Sequence, residues 1–172
     1  MTTPTLSTQH LVLRPLTKPS QRQLDWLRDP DVMQFSEQRH RSHTLNTQVR
    51  FIESLPIGSH LWAIRILDDD RHIGNVCARA NLPNKICDLG ILLGERTLWG
   101  KGFATEAFKA ATEWLLDPAG GNFRKVEAGC MATNIAMRRV LVKSDYSPEG
   151  ERLNHFLYQG QPVGCLHFGR FR

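Results

Sequence analysis

Several features that define common protein classes are missing from this chain of 172 residues. No stretch approaches the roughly 20 consecutive apolar residues that cross a bilayer as a helix, so no membrane partner is expected. The first residues contain neither a basic segment nor an apolar one, which argues against a signal peptide. No internal repeat or low-complexity tract occurs. We therefore expect a single domain over residues 1–172 in the cytoplasm.

The chain also lacks paired cysteines and an obvious metal-binding pattern. Cys77, Cys87, Cys130 and Cys165 lie far apart, and each occurs in an apolar run typical of a strand. Reduced, buried thiols are the expected state, with a disulfide or a zinc site as the weaker alternative. The three aspartates 68–70 predict a tight turn, because adjacent residues on a hairpin tip rarely converge on one ion. No metal site is expected.

A dense basic stripe is absent, although the net charge is +5. Nucleic-acid binding would favour clustered Lys and Arg with interleaved aromatic residues, and the basic residues here are scattered. We therefore expect no nucleic-acid partner. A modest positive bias suits a small polyanionic ligand, and an ordinary solvated surface explains it equally well.

Periodicity predicts a mixed α/β fold with a mostly antiparallel central sheet of about seven strands and about four helices. The order β-α-α-β-β-β-α-β-α-β-β implies one parallel crossover. The run Ile86–Leu93 is nearly continuously apolar, as in a strand covered on both faces. The residues 36–44 between the first two long helices are polar and predict an exposed loop. The predicted strands are Leu11–Leu16, His60–Leu67, Ile73–Ala80, Ile86–Leu93, Phe123–Met131, Glu151–Tyr158 and Val163–Phe168, and the predicted helices are Gln21–Arg28, Leu45–Leu55, Gly102–Leu116 and Asn134–Lys143.

A glycine-rich junction lies between the apolar strand and the most regular helix. Gly100 and Gly102 remove side chains where a phosphate could touch the backbone, and Lys101 adds a cation. The first turn of a helix has unpaired N–H groups and a partial positive charge, so the junction predicts an anion site. Neither the Walker A spacing nor the Rossmann spacing is present. A glycine turn that merely starts a helix is the alternative.

The segment Trp99–Ala107 resembles motif A of the GCN5-related N-acetyltransferases (GNAT), in the branch of the ribosomal-protein-alanine N-acetyltransferases. Gly102 and Ala104 occupy the two small-residue positions, and Trp99 replaces the usual Gln or Arg. Further segments resemble other parts of that branch, in the same order and at natural spacing. They are Leu11–Leu16, Asp29–Val32, Cys87–Ile91, Asn134–Tyr146 and Glu149–Gly150.

The resemblance implies that acetyl-CoA binds where two central strands splay apart. The backbone of residues 100–105 would hold the pyrophosphate, and free N–H groups at the edge of the apolar strand would bond the pantetheine arm and polarise the thioester carbonyl. Three basic residues of the second motif, Arg138, Arg139 and Lys143, could reach the phosphates, with an exposed helix face as the alternative for at least one of them. The cofactor-binding residues implied in this way are Ile91, Leu92, Gly100, Lys101, Gly102, Phe103, Ala104, Thr105, Asn134, Arg138 and Lys143.

Acetyl transfer requires a neutral amine, and a base must remove its proton. Asp88 is the candidate, because it shares a strand face with Ile86 and Gly90 and because burial would raise its pKa toward a useful range. A structural Asp paired with an Arg or a Lys is the alternative. The position that corresponds to the family's general-acid tyrosine is Leu141, so water or Tyr146 is left as the proton donor.

The sequence thus predicts an acetyl-CoA-dependent N-acetyltransferase that acts by direct attack of a primary amine. The acceptor would be a small amine or amino sugar, or a protein N-terminus. A non-catalytic acyl-CoA-binding sensor is the second hypothesis, motivated by Leu141. We expect the acceptor pocket to be shaped by residues 36–44, with His40 and His43 as possible lining, and by the last hairpin. A monomer and a homodimer are both compatible with the sequence.

Overall fold

The computed structural model describes residues 2–172. Its centre is one eight-stranded sheet with the order β1-β2-β3-β4-β5-β6-β8-β7. Every neighbouring pair is antiparallel except β5 and β6, which are parallel. The strands are β1 Leu6–Ser7, β2 Leu11–Pro15, β3 His60–Ile66, β4 His72–Asn81, β5 Ile86–Leu93, β6 Lys125–Met131, β7 Ser147–Tyr158 and β8 Gln161–Phe171.

Five α-helices connect these strands, and most begin at a polar capping residue. Ser20, Asp29, Thr44 and Asn134 each accept a backbone N–H of the helix that follows, which satisfies groups that have no partner within the helix. The helices are α1 Gln21–Arg28, α2 Pro30–Met33, α3 Leu45–Glu53, α4 Phe103–Leu116 and α5 Ile135–Lys143. Two short 3-10 helices cover Glu37–His40 and Arg96–Leu98.

The predicted fold class and the single parallel crossover are confirmed, and the predicted elements occur in the predicted order along the chain. The structure adds one strand and one helix to the predicted counts, β1 and α2, and both are very short. The predicted exposed loop at residues 36–44 contains the 3-10 helix Glu37–His40, which Ser36 caps. The last two strands are longer than predicted.

The core lies between the sheet and α4. Phe108, Ala111 and Leu115 are completely buried on one side of this helix, where they face Cys87 and Leu89 of β5 among others. The apolar stripe of α4 follows the helical period, so one face of the helix is covered and the opposite face is free. This packing fixes α4 directly behind the point where β5 and β6 lie side by side.

The opposite face of β5 is open, so the prediction that Ile86–Leu93 is covered on both faces is wrong. Cys87 and Leu89 point to the core, whereas Asp88 and Gly90 on the other face are exposed. An apolar run alone does not reveal which of its residues pack against the core and which border a groove. The alternation of burial places Asp88 and Gly90 on one open surface.

The four cysteines are free thiols, and three of them are buried, while Cys77 is half-buried. Burial raises the pKa of the Cys77 and Cys130 thiols to about 11, so both are protonated at neutral pH. Within residues 2–172, no three His, Cys, Asp or Glu side chains are grouped in a way that could hold a metal ion. No helix among them is long and apolar enough to cross a membrane.

Candidate active site

The two parallel strands at the centre of the sheet diverge. β5 and β6 are paired at only three positions, and the last pair is Asp88 with Glu127. Beyond that pair, β5 remains bonded to β4 as far as Leu93, and β6 remains bonded to β8 as far as Met131. The sheet therefore opens into a fork, which we define as the space between residues 89–93 of β5 and residues 128–131 of β6. Backbone groups along the inner edge of β5 have no strand partner there.

The N-terminus of α4 points free backbone N–H groups toward one end of this fork. Gly102 precedes the helix with φ of 92°, a left-handed conformation that strongly favours glycine. Among the described residues, the first intrahelical bond is from the N–H of Glu106, so the N–H groups of residues 103–105 have no protein acceptor. A Cβ atom built on Gly100 or Gly102 meets nothing within 4 Å. This arrangement is an open anion site.

Two contacts fix the position of this helix start. The indole N–H of Trp99 donates to the carbonyl oxygen of Leu93 at 2.8 Å, which fastens the glycine loop to the end of β5. The carboxylate of Glu106 accepts from the hydroxyl of Thr8 at 2.6 Å and from the backbone N–H of His10 at 2.8 Å. The first turn of α4 is thereby anchored to the segment between β1 and β2.

A cavity of about 420 Å³, which we call the first cavity, joins the fork to the anion site. It is bounded by the ends of α2, β5, the glycine loop, α4 and α5. Nine of the eleven predicted cofactor-binding residues line this cavity, although they come from separate segments of the chain. They are Ile91, Leu92, Gly100, Gly102, Phe103, Ala104, Thr105, Asn134 and Lys143.

The other two predicted cofactor-binding residues, Lys101 and Arg138, do not line this cavity. Lys101 is exposed, and the Arg138 guanidinium lies 3.5 Å from the carbonyl oxygen of Ala132. The neighbouring Arg139 borders the cavity instead, one residue further along α5. Because successive helical residues point about 100° apart, α5 directs Arg139 toward this cavity and Arg138 away from it.

A second cavity of about 440 Å³ lies on the open face of the fork. Its lining includes the carboxylates of Asp88, Glu127 and Glu149 together with Arg152 and His167. A Cβ atom built on Gly90, which lies two residues beyond Asp88 on the same face, meets nothing within 4 Å. The bare backbone of β5 therefore leaves room for a ligand next to Asp88.

The carboxylate of Asp88 has no basic partner at bonding distance. Among the described residues its side chain makes neither an ion pair nor a hydrogen bond, so the alternative of a structural Asp paired with a basic residue finds no support in the contacts. Asp88 remains open to the second cavity, but the surrounding protein displaces part of the solvent near its carboxylate. This desolvation is the main factor that raises its pKa, and the negative charge of Glu127 adds to the effect. The positive charge of Arg79, the residue opposite Asp88 on β4, and that of His167 oppose the shift.

Glu127 was not among the predicted site residues. Its carboxylate lies 3.3 Å from Nζ of Lys125, which also contacts Glu149 at 2.7 Å. The signal was available in the sequence, because Glu127 alternates with the buried residues of β6. The parallel pairing that puts it beside Asp88 could be assigned only once the register of β5 and β6 was known.

Tyr146 lies elsewhere, in the core beneath α4. Its side chain is buried and borders neither cavity. The hydroxyl lies 2.9 Å from Oγ1 of Thr112, which itself donates to the carbonyl oxygen of Phe108, so the tyrosine is the donor of this pair. Burial raises the pKa of Tyr146 far above neutrality. Leu141, at the position of the family's general-acid tyrosine, is completely buried and carries no ionisable group.

The loop histidines do not line the cavities either. His43 is buried, with its ring nitrogens bonded to the carbonyl oxygen of Gln38 and the side-chain amide of Gln48. Sequence reasoning also missed Phe35 and His167, both of which border the second cavity. Nε2 of His167 is buried without a hydrogen-bond partner among the described residues.

The sequence profile of the acetyltransferase (GNAT) domain matches residues 10–147, most of the chain. This chain belongs to the GNAT acetyltransferase family. Acetyl-CoA is accordingly its co-substrate, and the first cavity suits that molecule, with open amides for phosphates and basic Arg139 and Lys143 nearby. A comparison with curated protein sequences gives no significant match.

Solved structures of low sequence identity share the fold of this GNAT chain. The ribosomal L7/L12 alpha-N-protein acetyltransferase RimL, in complex with coenzyme A, has a TM-score of 0.82 at 15% identity over 98% of each chain. The microcin C7 self-immunity acetyltransferase MccE, in complex with acetyl-CoA and AMP, has a TM-score of 0.77 at 16% identity over 96% of this chain and 94% of its own. A chimera of the spermidine N-acetyltransferase SpeG, from Vibrio cholerae and hSSAT, has a TM-score of 0.74 at 15% identity over 94% of both chains.

Proposed function

We propose that this acetyltransferase transfers the acetyl group of acetyl-CoA to a primary amine by direct attack, with Asp88 as the general base. The observation that carries the proposal is an unpaired carboxylate of raised pKa at the point where the fork opens. The acceptor we propose is a small amine or amino sugar, or a protein N-terminus. Structural relatives named for ribosomal-protein and spermidine substrates are compatible with that range.

In the first cavity, the residues of the chain would bind and orient the co-substrate. The free N–H groups of residues 103–105 suit the diphosphate, and Arg139 and Lys143 suit the further phosphate. The side chain of Asn134 is engaged with the N–H of Met137 at 3.0 Å, so we assign it first to capping α5. On the unpaired edge of β5, the backbone N–H of Ile91 would point at the pantetheine arm or the thioester oxygen, whereas the N–H of Leu92, in step with that of Gly94, faces β4, and Leu92 would contribute through its place in the lining.

The second cavity would hold the acceptor amine. Its three carboxylates attract a protonated amine, and Asp88 is the one without a basic partner within ion-pair distance among the described residues. A carboxylate whose pKa is raised by lost solvent accepts the proton more readily than an ordinary Asp. Acetyl-CoA supplies an activated thioester for the amine to attack. The amine nitrogen bonds to the carbonyl carbon, the carbon–sulfur bond breaks, and CoA leaves as a thiolate. Because a thiol has a pKa of about 8.5, the thiolate can leave without a protein acid and take its proton from water.

The experiment is release of free CoA thiol from acetyl-CoA in the presence of a panel of primary amines, amino sugars and N-terminal peptides. We expect turnover with at least one class, and loss of that turnover in Asp88→Asn. Asp25→Asn, an exposed substitution of the same kind on α1, is the matched control and should leave turnover unchanged. Tight acetyl-CoA binding without turnover on any amine would favour a non-catalytic sensor. That alternative is motivated by Leu141, which replaces the family's general-acid tyrosine, and by the burial of Tyr146.

A further inference from the structure

Phe35 lies where the two cavities meet. Among the described residues it is the one side chain that borders both of them. It is half-buried, and it follows α2 at the mouth of the fork. No feature of the sequence around Phe35 signals this position, because the cavities are formed by segments far away along the chain.

The Phe35 ring is held from the opposite side of the fork. It stacks on Tyr158 at the end of β7, with ring centroids 5.2 Å apart and an angle of 27° between the planes. The Tyr158 hydroxyl donates to Oε1 of Gln34 at 3.3 Å, and Nη2 of Arg39 donates to the carbonyl oxygen of Leu157 at 3.0 Å. The segment after α2 is therefore fastened to the last hairpin on both sides of the aromatic pair.

This position constrains the acyl group, given the proposed assignment of the two cavities. The attacking nitrogen must come within about 3–3.5 Å of the thioester carbon before reaction, so the acyl carbon has to lie at the junction of the cavities. A rigid apolar ring at that junction limits the space for carbons beyond the carbonyl. Held by Tyr158, it cannot easily swing aside.

We propose that Phe35 is the residue that restricts this enzyme to short acyl groups, with Tyr158 as its positioning residue. The inference rests on the proposed function in placing acyl-CoA in the first cavity and the acceptor in the second. An acetyl group fits beside the ring, whereas each added methylene meets it. Discrimination then arises from steric exclusion by Phe35, and removal of the ring creates space for a longer chain.

The test measures dissociation constants of acetyl-, propionyl- and butyryl-CoA by calorimetry, without any acceptor. The wild type should bind butyryl-CoA about tenfold or more weakly than acetyl-CoA, the range expected for added methylenes in a fitted apolar pocket. In Phe35→Ala this ratio should fall to near one, and in Phe35→Leu to an intermediate value. The second variant guards against a folding defect in the first.

Variants of Tyr158 and a remote phenylalanine separate positioning from general loss of aromatic packing. Tyr158→Ala should relax the butyryl-to-acetyl ratio in the same direction as Phe35→Ala, whereas Tyr158→Phe, which keeps the stacking, should retain most of the discrimination. Phe51→Ala is the matched control, because Phe51 is a half-buried residue of α3 that lies under the Arg79 guanidinium and outside both cavities. Its ratio should equal that of the wild type.

The outcomes distinguish this proposal from the proposed function. Equal binding of acetyl- and butyryl-CoA by the wild type, or an unchanged ratio in the Phe35 and Tyr158→Ala variants, overturns the role of Phe35 alone. A ratio that shifts as expected, together with no turnover on any amine, supports Phe35 and rejects catalysis. If no acyl-CoA binds at all, both proposals fail.

Discussion

The environment of Asp88 favours its use as a base but disfavours the folded state. Desolvation destabilises the ionised carboxylate, which raises its pKa and also lowers the stability of the fold at neutral pH. We expect Asp88→Asn to lower kcat/KM by about 100-fold or more, the usual contribution of a general base. The same change should leave the fold at least as stable at pH 7, because the neutral amide does not carry the unfavourable charge. Steady-state kinetics and urea denaturation of the same preparations check both expectations.

The pH dependence of that stability follows from the direction of the shift. The folded-state pKa of Asp88 is raised, so the penalty for ionisation is fully present above that pKa and disappears below the ordinary pKa of an aspartate. The advantage of Asp88→Asn over the wild type should therefore shrink as the pH falls into the acid range. A variant that is inactive and also less stable at pH 7 would assign Asp88 a structural role.

Glu127 should tune the base through its charge. Replacing it by Gln removes a negative charge that helps to raise the pKa of Asp88, so the acid limb of the kcat/KM profile should move to lower pH. Lys125 keeps its 2.7 Å contact with Glu149, which limits the structural consequence. Glu113→Gln, on the exposed face of α4, makes the same charge change away from the site and should leave the profile in place. An unmoved limb in Glu127→Gln would mean that another group titrates.

Tyr146 should matter for stability and not for catalysis. Tyr146→Phe removes the donor to Thr112, which leaves a buried acceptor less satisfied and should cost about 1 kcal/mol of unfolding free energy. We expect kcat to stay within about threefold of the wild type, a change of less than 1 kcal/mol in the barrier. A large fall in kcat with intact folding would restore the tyrosine as proton donor.

At the scale of elements, the glycine loop and the start of α4 form the unit that should bind phosphate. Gly102→Ala forces an L-residue into a left-handed conformation, which costs about 1 kcal/mol, although its Cβ meets no protein atom. That Cβ would protrude into the anion site, so the Kd for acetyl-CoA should rise at least about tenfold, or 1.4 kcal/mol.

A second glycine separates strain from lost binding. Gly160, in the turn between β7 and β8, has φ of 76° and equally open space around a built Cβ. Gly160→Ala should therefore cost similar stability while leaving the Kd for acetyl-CoA unchanged. Calorimetric titration together with thermal unfolding of both variants makes the comparison. Equal effects on affinity would show that the Gly102 result reflects backbone strain.

The elements that sequence could predict are those specified by local pattern. The period of α4, the alternation of β6 and the glycine junction are all short-range signals, and they located the anion site. The fork followed from the order of elements together with the family resemblance. The sequence could not specify the features that depend on strand register and on distant contacts. Glu127 lies beside Asp88 through the pairing of β5 with β6. Phe35 stacks on Tyr158, which is 123 residues away along the chain.

At the scale of the whole molecule, the fork divides the sheet into two parts that share few backbone contacts. β1 to β5 form one part and β6, β8 and β7 the other, with three paired positions between them. The remaining connections near the fork include α4, which packs behind both parts, and the contact between Phe35 and Tyr158. A ligand in the first cavity touches β5 and α5, so it would connect elements on either side of the division.

Acetyl-CoA should therefore stabilise the folded chain as a whole. At a free concentration of 100 times Kd, preferential binding to the native state contributes about 2.7 kcal/mol. For a chain of this length that free energy raises Tm by roughly 5–10 °C, which differential scanning fluorimetry resolves easily. S-acetyl-N-acetylcysteamine at the same concentration carries the thioester without the nucleotide and diphosphate, so it should shift Tm far less. Equal shifts with the two compounds would contradict the assignment of the α4 amides to phosphate, and no shift with acetyl-CoA would remove the first cavity as its binding site.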